Sequence, residues 1–200
     1  MYAITDAGLS GLSHAQQVEA LCAGGAALIQ IREKQMSDYD FYYQASEALL
    51  VARRYNATLL INDRVDIALA IGADGVHLGQ TDLPPRAARE LLPSGSIIGI
   101  STHNIEQLRV ALAMPVDYVA FGPIFSTSTK LDPDPAVGVD GLLNARRVAN
   151  EFPLVAIGGI QANSVPEVFA AGADSVAMVS WILTEKGQIT PRVRQFLAAK

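Results

Sequence analysis

Cysteine is nearly absent: Cys22 stands alone, so no internal disulfide can form and no cysteine-based metal spacing exists. Lysine is almost as scarce, with Lys34, Lys130, Lys186 and Lys200 the whole complement, and a lysine inside a loop motif is correspondingly informative. Positive charge as a whole is in deficit: 15 Lys and Arg against 20 Asp and Glu leave a net charge of -5. That balance argues against a chain-wide footprint for nucleic acid or an anionic membrane, so any anion must be met by a local cluster of cations. No apolar run reaches the roughly 18 residues of a membrane span, and the first residues lack the basic region of a signal peptide. The expectation is a cytoplasmic protein with neither nucleic-acid nor membrane partners.

What is present is apolar. Of 200 residues, 50% are hydrophobic and 18% charged, enough for one sizeable core and a single domain over 1–200. Short β-branched runs at 2–5, 27–31, 58–61, 75–78, 97–100, 118–121, 154–157 and 175–179 alternate with segments of helical period at 13–23, 38–55, 64–71, 84–92, 104–113, 140–150, 163–171 and 191–199. Parallel strands buried on both faces and joined by crossover helices read this way. An echo supports the repeat: Gly24-Gly25-Ala26-Ala27, Gly72-Ala73-Asp74-Gly75, Pro115-Val116-Asp117-Tyr118 and Gly172-Ala173-Asp174-Ser175 each precede an even-numbered strand. Eight near-equal units, without the G-x-G-x-x-G fingerprint of an open dinucleotide-binding sheet, predict an α/β fold of the (β/α)8 TIM-barrel type.

In such a barrel, chemistry sits just after the strands. Strand 2 ends in Arg32 and Lys34, one residue apart in an extended segment, so both can offer charge to one polyanion while Glu33 points elsewhere. A plain solvated charge run is the alternative. Asp63 and Asp82 follow adjacent strands 3 and 4. They could hold Mg²⁺, which takes one or two carboxylates plus substrate oxygens, or cap the helices opening at Arg64 and Leu83-Pro84-Pro85. Gly158-Gly159 after strand 7 and Ser180 after strand 8 stand where many barrels bind a phosphate, although the glycines could equally serve a turn. The stretch 122–141 is the longest connection, and its Thr127-Ser128-Thr129-Lys130 suits closure over phosphates. His77 lies inside strand 4, where a satisfied core histidine is the usual reading. No Ser/His/Asp or Cys/His arrangement is legible, which disfavours a nucleophilic hydrolase.

Six ordered segments carry a family resemblance: Gln30-Ile31-Arg32-Glu33-Lys34, Ile61-Asn62-Asp63-Arg64-Val65-Asp66, the run from Gly72 to Asp82, Ser101-Thr102-His103, the run from Gly122 to Lys130, and Ala156-Ile157-Gly158-Gly159-Ile160. The chain resembles the thiamine phosphate synthases along nearly its whole length. The resemblance implies a (β/α)8 barrel that transfers a pyrimidinylmethyl group, joining hydroxymethylpyrimidine diphosphate to a thiazole phosphate with release of pyrophosphate. It assigns Gln30, Ile31, Arg32, Glu33, Lys34, Asn62, Ser101 and Lys130 to the pyrimidine diphosphate, with Arg32, Lys34, Ser101 and Lys130 catalytic. Asp63 and Asp82 fall to Mg²⁺; Thr127, Ser128, Thr129, Gly159, Val179 and Ser180 fall to the thiazole phosphate. Small phosphorylated molecules and a second copy in a homodimer are the implied partners. The pattern departs where Ile31 replaces a familiar leucine or phenylalanine, and where the chain begins almost directly on strand 1. A sister group of thiazole tautomerases would use His103 for proton transfer, and a silent barrel would bind the precursors without turnover.

Overall fold

Each β-branched run becomes a strand because its residues are buried on both faces, and the amphipathic segments between them become helices. The computed structural model describes residues 1–127 and 134–198. Its eight strands are ordered consecutively in a closed barrel, the fold class expected from the alternation. Two compact units make up the chain, Met1–Val76 with Val179–Lys200, and His77–Met178.

The first unit contains β1 (Tyr2–Thr5), α1 (Ala7–Ser10), α2 (His14–Gly24), β2 (Leu28–Ile31), α3 (Asp38–Arg54), β3 (Thr58–Asn62) and α4 (Val65–Ile71), and β4 (Gly75–Leu78) begins in it. Strands β1, β2 and β3 pair in parallel, with Ile4 opposite Gln30 and Gln30 opposite Leu60. Ile29, Ile31, Leu59, Leu60 and Ile61 are fully buried. Ser13 closes a reciprocal cap with Gln16 at the start of α2, and the Ser37 hydroxyl accepts the Asp40 N–H at the start of α3, so free amides of both first turns are satisfied.

The second unit contains α5 (Pro85–Leu91), β5 (Ile97–Thr102), α6 (Ile105–Leu112), β6 (Tyr118–Phe121), α7 (Gly138–Ala149), β7 (Leu154–Ile157), α8 (Val165–Ala170) and β8 (Ser175–Met178). Beyond β8 the chain re-enters the first unit as α9 (Ser180–Leu183) and α10 (Ile189–Ala198). There α10 packs on α2, where the absent side chain of Gly24 lets Val193 approach so closely that an added Cβ would lie 2.6 Å from its Cβ.

The echo before the even strands has a purpose that its glycines alone do not express. Asp74 donates its N–H to the Leu59 carbonyl at 3.0 Å and accepts the Leu59 N–H on its carboxylate at 2.8 Å. Asp117 does the same with Ile98, at 2.8 and 2.7 Å, and Asp174 with Leu154, at 2.9 and 2.8 Å. An arginine from the preceding odd-numbered helix clamps each carboxylate: Arg53 on Asp74, Arg89 on Asp117, Arg146 on Asp174. The three straps lie at the starts of strands, away from the ends that carry the candidate site.

Strand 5 is longer than its apolar run. Its ladder with β6 continues to Ser101 opposite Ala120 and Thr102 opposite Phe121, and the Thr102 hydroxyl donates to the Ala120 carbonyl at 2.9 Å. Ser101 therefore sits within β5 and not after it, because hydroxyl-bearing residues keep the ladder going past the last isoleucine. The short helices α1 and α9 lie outside the expected set, since four residues are too few for an apolar period to show.

Candidate active site

Within the first unit, three strand ends bring opposite charges together. Arg32 donates through Nη1 to Asp6 Oδ2 at 2.9 Å, a partly buried pair. Lys34 donates through Nζ to Asp63 Oδ2. The two cations thus leave β2 towards carboxylates at the ends of the strands on either side, β1 and β3. Asp63 has a left-handed backbone, φ 61°, and it does not cap α4: that helix starts at Val65 with no side-chain cap bond. Gln30 is buried, donating from Nε2 to the Tyr2 hydroxyl at 2.5 Å. Ile31 is fully buried and Asn62 nearly so. Val179 and Ser180 form the junction from β8 into α9.

Glu33 turns away from the cations on either side of it. Its Oε1 accepts the backbone N–H groups of Lys34, Gln35 and Met36 at 2.7, 2.7 and 3.2 Å, and its Oε2 faces His14 Nε2 at 3.2 Å. Burial opposes the Glu33 charge, but these amides and His14 prevail and hold its carboxyl below the usual carboxylate range. His14 is itself buried, which lowers its pKa against the pull of Glu33, and its Nδ1 meets the Thr5 hydroxyl at 2.9 Å.

Within the second unit, Asp82 folds the turn after β4 by accepting the Gly79 N–H at 2.7 Å, and it leaves α5 without a side-chain cap. Ser101 Oγ lies 2.8 Å from His77 Nε2, and His77 Nδ1 lies 2.7 Å from the Tyr118 hydroxyl. Burial pushes the His77 imidazole down to about 4, against the opposing field of Asp82. Gln80 donates to the Ser101 carbonyl at 2.6 Å. His103 sits beside the Gly122 carbonyl through Nδ1 at 2.7 Å and beside Asp134 through Nε2 at 3.6 Å.

Gly158 and Gly159 have φ of 99° and 64°, and a Cβ on Gly159 would lie 2.5 Å from the Ser126 carbonyl oxygen. The pair is required where the end of β7 packs on the 123–126 segment, and Phe125 N–H donates to the Gly158 carbonyl at 3.0 Å. Thr127 is half-buried at the end of that segment. Ser128, Thr129 and Lys130 lie outside the described residues.

Within the first unit the structure sets Arg32 against Asp6, Lys34 against Asp63 and His14 against Glu33, and within the second it sets His77 between Ser101 and Tyr118. Asp6 had a signal, a carboxylate immediately after a strand. His14 and Tyr118 had none that local spacing could show. Among the described residues no three His, Cys, Asp or Glu side chains group to hold a metal. Asp63 and Asp82 present hard carboxylate oxygens of the kind Mg²⁺ takes singly or in pairs, with substrate and water completing the shell. On donor chemistry the residues fit that ion.

A closed parallel barrel with charged side chains at its strand ends defines a βα-barrel protein of the enzyme-bearing kind, whose sites sit at those ends. Residues 1–182 match the family model described as thiamine monophosphate synthase. The chain is 42% identical over 199 residues to the thiamine-phosphate synthase of Chloroflexus aurantiacus, covering 99% of this chain and 91% of that one. It is 46% identical over 184 residues to that of Clostridium novyi, covering 92% and 90%. A solved thiamine phosphate pyrophosphorylase from Pyrococcus furiosus superposes with a TM-score of 0.88 at 31% identity, over 98% of this chain and 93% of that one. This chain belongs to the thiamine monophosphate synthase family.

Proposed function

We propose that the chain condenses hydroxymethylpyrimidine diphosphate with a thiazole phosphate, giving thiamine phosphate and pyrophosphate in a Mg²⁺-dependent transfer of the pyrimidinylmethyl group. Family membership over most of the chain, joined to the Arg32, Lys34 and Asp63 cluster at the ends of β2 and β3, carries the reading. In this reading Arg32, Lys34, Ser101 and Lys130 bind the pyrimidine diphosphate with Gln30, Asn62 and the segment 31–33. Thr127, Ser128, Thr129, Gly159, Val179 and Ser180 take the thiazole phosphate.

The bond from the pyrimidine methylene to the diphosphate oxygen breaks first, and the thiazole nitrogen then attacks the methylene cation. No protein nucleophile is needed in this route. Charge grows on the departing diphosphate, so Arg32 and Lys34 contribute to rate by holding it more tightly as it leaves. To do so each exchanges its carboxylate, Asp6 or Asp63, for phosphate oxygens. Mg²⁺ bound by Asp63 and Asp82 would neutralise further charge on the same leaving group.

The test is to supply the purified chain with both substrates, with and without Mg²⁺, and to follow thiamine phosphate and pyrophosphate together. Equal amounts of both products, lost on chelation and restored by Mg²⁺, are expected. No product with Mg²⁺ present overturns the reading. The same family likeness supports a cytoplasmic homodimer, whose mass light scattering reads.

A further inference from the structure

His77 does not behave as an inert core residue. It is 5% exposed, and each of its ring nitrogens faces a hydroxyl, Tyr118 at 2.7 Å on Nδ1 and Ser101 at 2.8 Å on Nε2. The His77 and Tyr118 rings lie with their centroids 5.5 Å apart at 27°. The sequence makes room for this arrangement at Gly99, the register partner of Tyr118 on β5, where an added Cβ would lie 2.0 Å from the phenol Cζ. A strand interior that gives up a side chain so that a tyrosine can reach a histidine is built around that contact.

The direction of the two hydrogen bonds follows from acidity. Burial keeps the imidazole neutral at ordinary pH, so one nitrogen carries hydrogen and the other accepts. A phenol is far more acidic than a serine hydroxyl and is the stronger donor. Tyr118 O–H therefore donates to Nδ1, the ring hydrogen resides on Nε2, and Nε2–H donates to Ser101 Oγ. The serine oxygen is then engaged as an acceptor, which leaves its own hydrogen to donate elsewhere.

We propose that Tyr118 and His77 are positioning residues that commit the Ser101 hydroxyl to donating a hydrogen bond to the diphosphate of the bound substrate. The proposal rests on the function proposed above, since it takes Ser101 to face that substrate. The opposite tautomer would turn the Ser101 hydrogen inward and present lone pairs to an anion.

Two measurements on the full chain test it. Nitrogen-15 spectra of labelled histidine should show His77 as the Nε2–H tautomer in the wild-type protein; the Nδ1–H form overturns the proposal. In steady-state kinetics, Tyr118→Phe should lower kcat about tenfold with the KM for thiazole phosphate unchanged, and should cost less than about twofold in a Ser101→Ala background. An equal loss in both backgrounds means that Tyr118 does not act through Ser101, and overturns it. Should Tyr118→Phe fail to fold, the wild-type tautomer still decides. A wild-type chain that makes no thiamine phosphate refutes the proposed function instead, and the spectrum remains readable beside it.

Discussion

At the end of β2, alternating residues do opposite jobs. Arg32 and Lys34 point charge outward to neighbouring strand ends, whereas Glu33 between them gathers three consecutive backbone amides and His14. Its role in this geometry is to fold the segment that presents the two cations. Removing it leaves three amides and a buried histidine without their acceptor, and a charge-assisted bond of this type is worth about 1.5–3 kcal/mol. Glu33→Ala should lower stability in urea by roughly that amount and raise the KM for the pyrimidine diphosphate more than it lowers kcat; Glu33→Gln, which keeps one acceptor oxygen, should lose less of both. A Glu33→Ala protein with wild-type melting and KM would show that the amides fold the segment unaided. In the proposed function Asp63 belongs to the chemistry. Asp63→Ala removes both the partner of Lys34 and one carboxylate of the proposed metal pair, and should lower turnover at least about a hundredfold, on the scale of losing one preorganised stabiliser of transition-state charge. Near-normal turnover would misassign the leaving-group clamp.

Among the elements, the legible parts were those with a local cause. Buried parallel strands must be apolar on both faces, so every strand but β5 stands out within a residue of its observed ends. Ser101 was placed after a strand that in fact contains it, because serine and threonine carry no apolar signal of ladder pairing. The strand-end positions of Arg32, Lys34 and Asp63 follow from counting along one segment. His77 could not be read this way: its partners lie 24 and 41 residues on, and only strand register brings them to it. The echoed aspartates were visible as a repeat, yet their meaning is likewise long-range, since the N–H groups they accept lie 15, 19 and 20 residues earlier. These straps make a prediction that separates stability from function. Asp74→Ala strands the Leu59 N–H and frees Arg53, and should cost about 1–3 kcal/mol in denaturant while leaving kcat within about twofold, because conservation of activity is expected when the altered face is the one remote from the chemistry. A collapse of kcat in the folded variant would connect that face to the site.

Across the whole molecule, each compact unit contains a buried histidine whose pKa folding lowers: His14 in the first and His77 in the second. In an unfolded chain a histidine titrates near 6.5, whereas burial in the folded protein depresses His77 to about 4 and lowers His14 as well. Between these values the unfolded state binds protons that the native state refuses, so stability must fall as pH falls from about 6.5 and level off for His77 once pH passes about 4. One unit of pKa corresponds to about 1.4 kcal/mol, so His77 alone should remove about 3 kcal/mol across that window. Glu33 and Asp66, whose carboxyls sit below their ordinary range, act in the same direction lower down: their contribution is present above the unfolded carboxylate pKa and is lost as pH drops through the folded one. Acid should therefore weaken the protein in two successive stages, histidines first and carboxylates after. Urea midpoints measured from pH 8 down to about pH 3 should be flat above pH 7 and then decline steadily. His77→Gln, which cannot take up a proton, should flatten the upper part of that decline while leaving the carboxylate part in place. A wild-type curve with no slope between pH 6.5 and pH 5 would mean that the folded chain admits protons to both imidazoles, and with them a charged His77 beside Ser101.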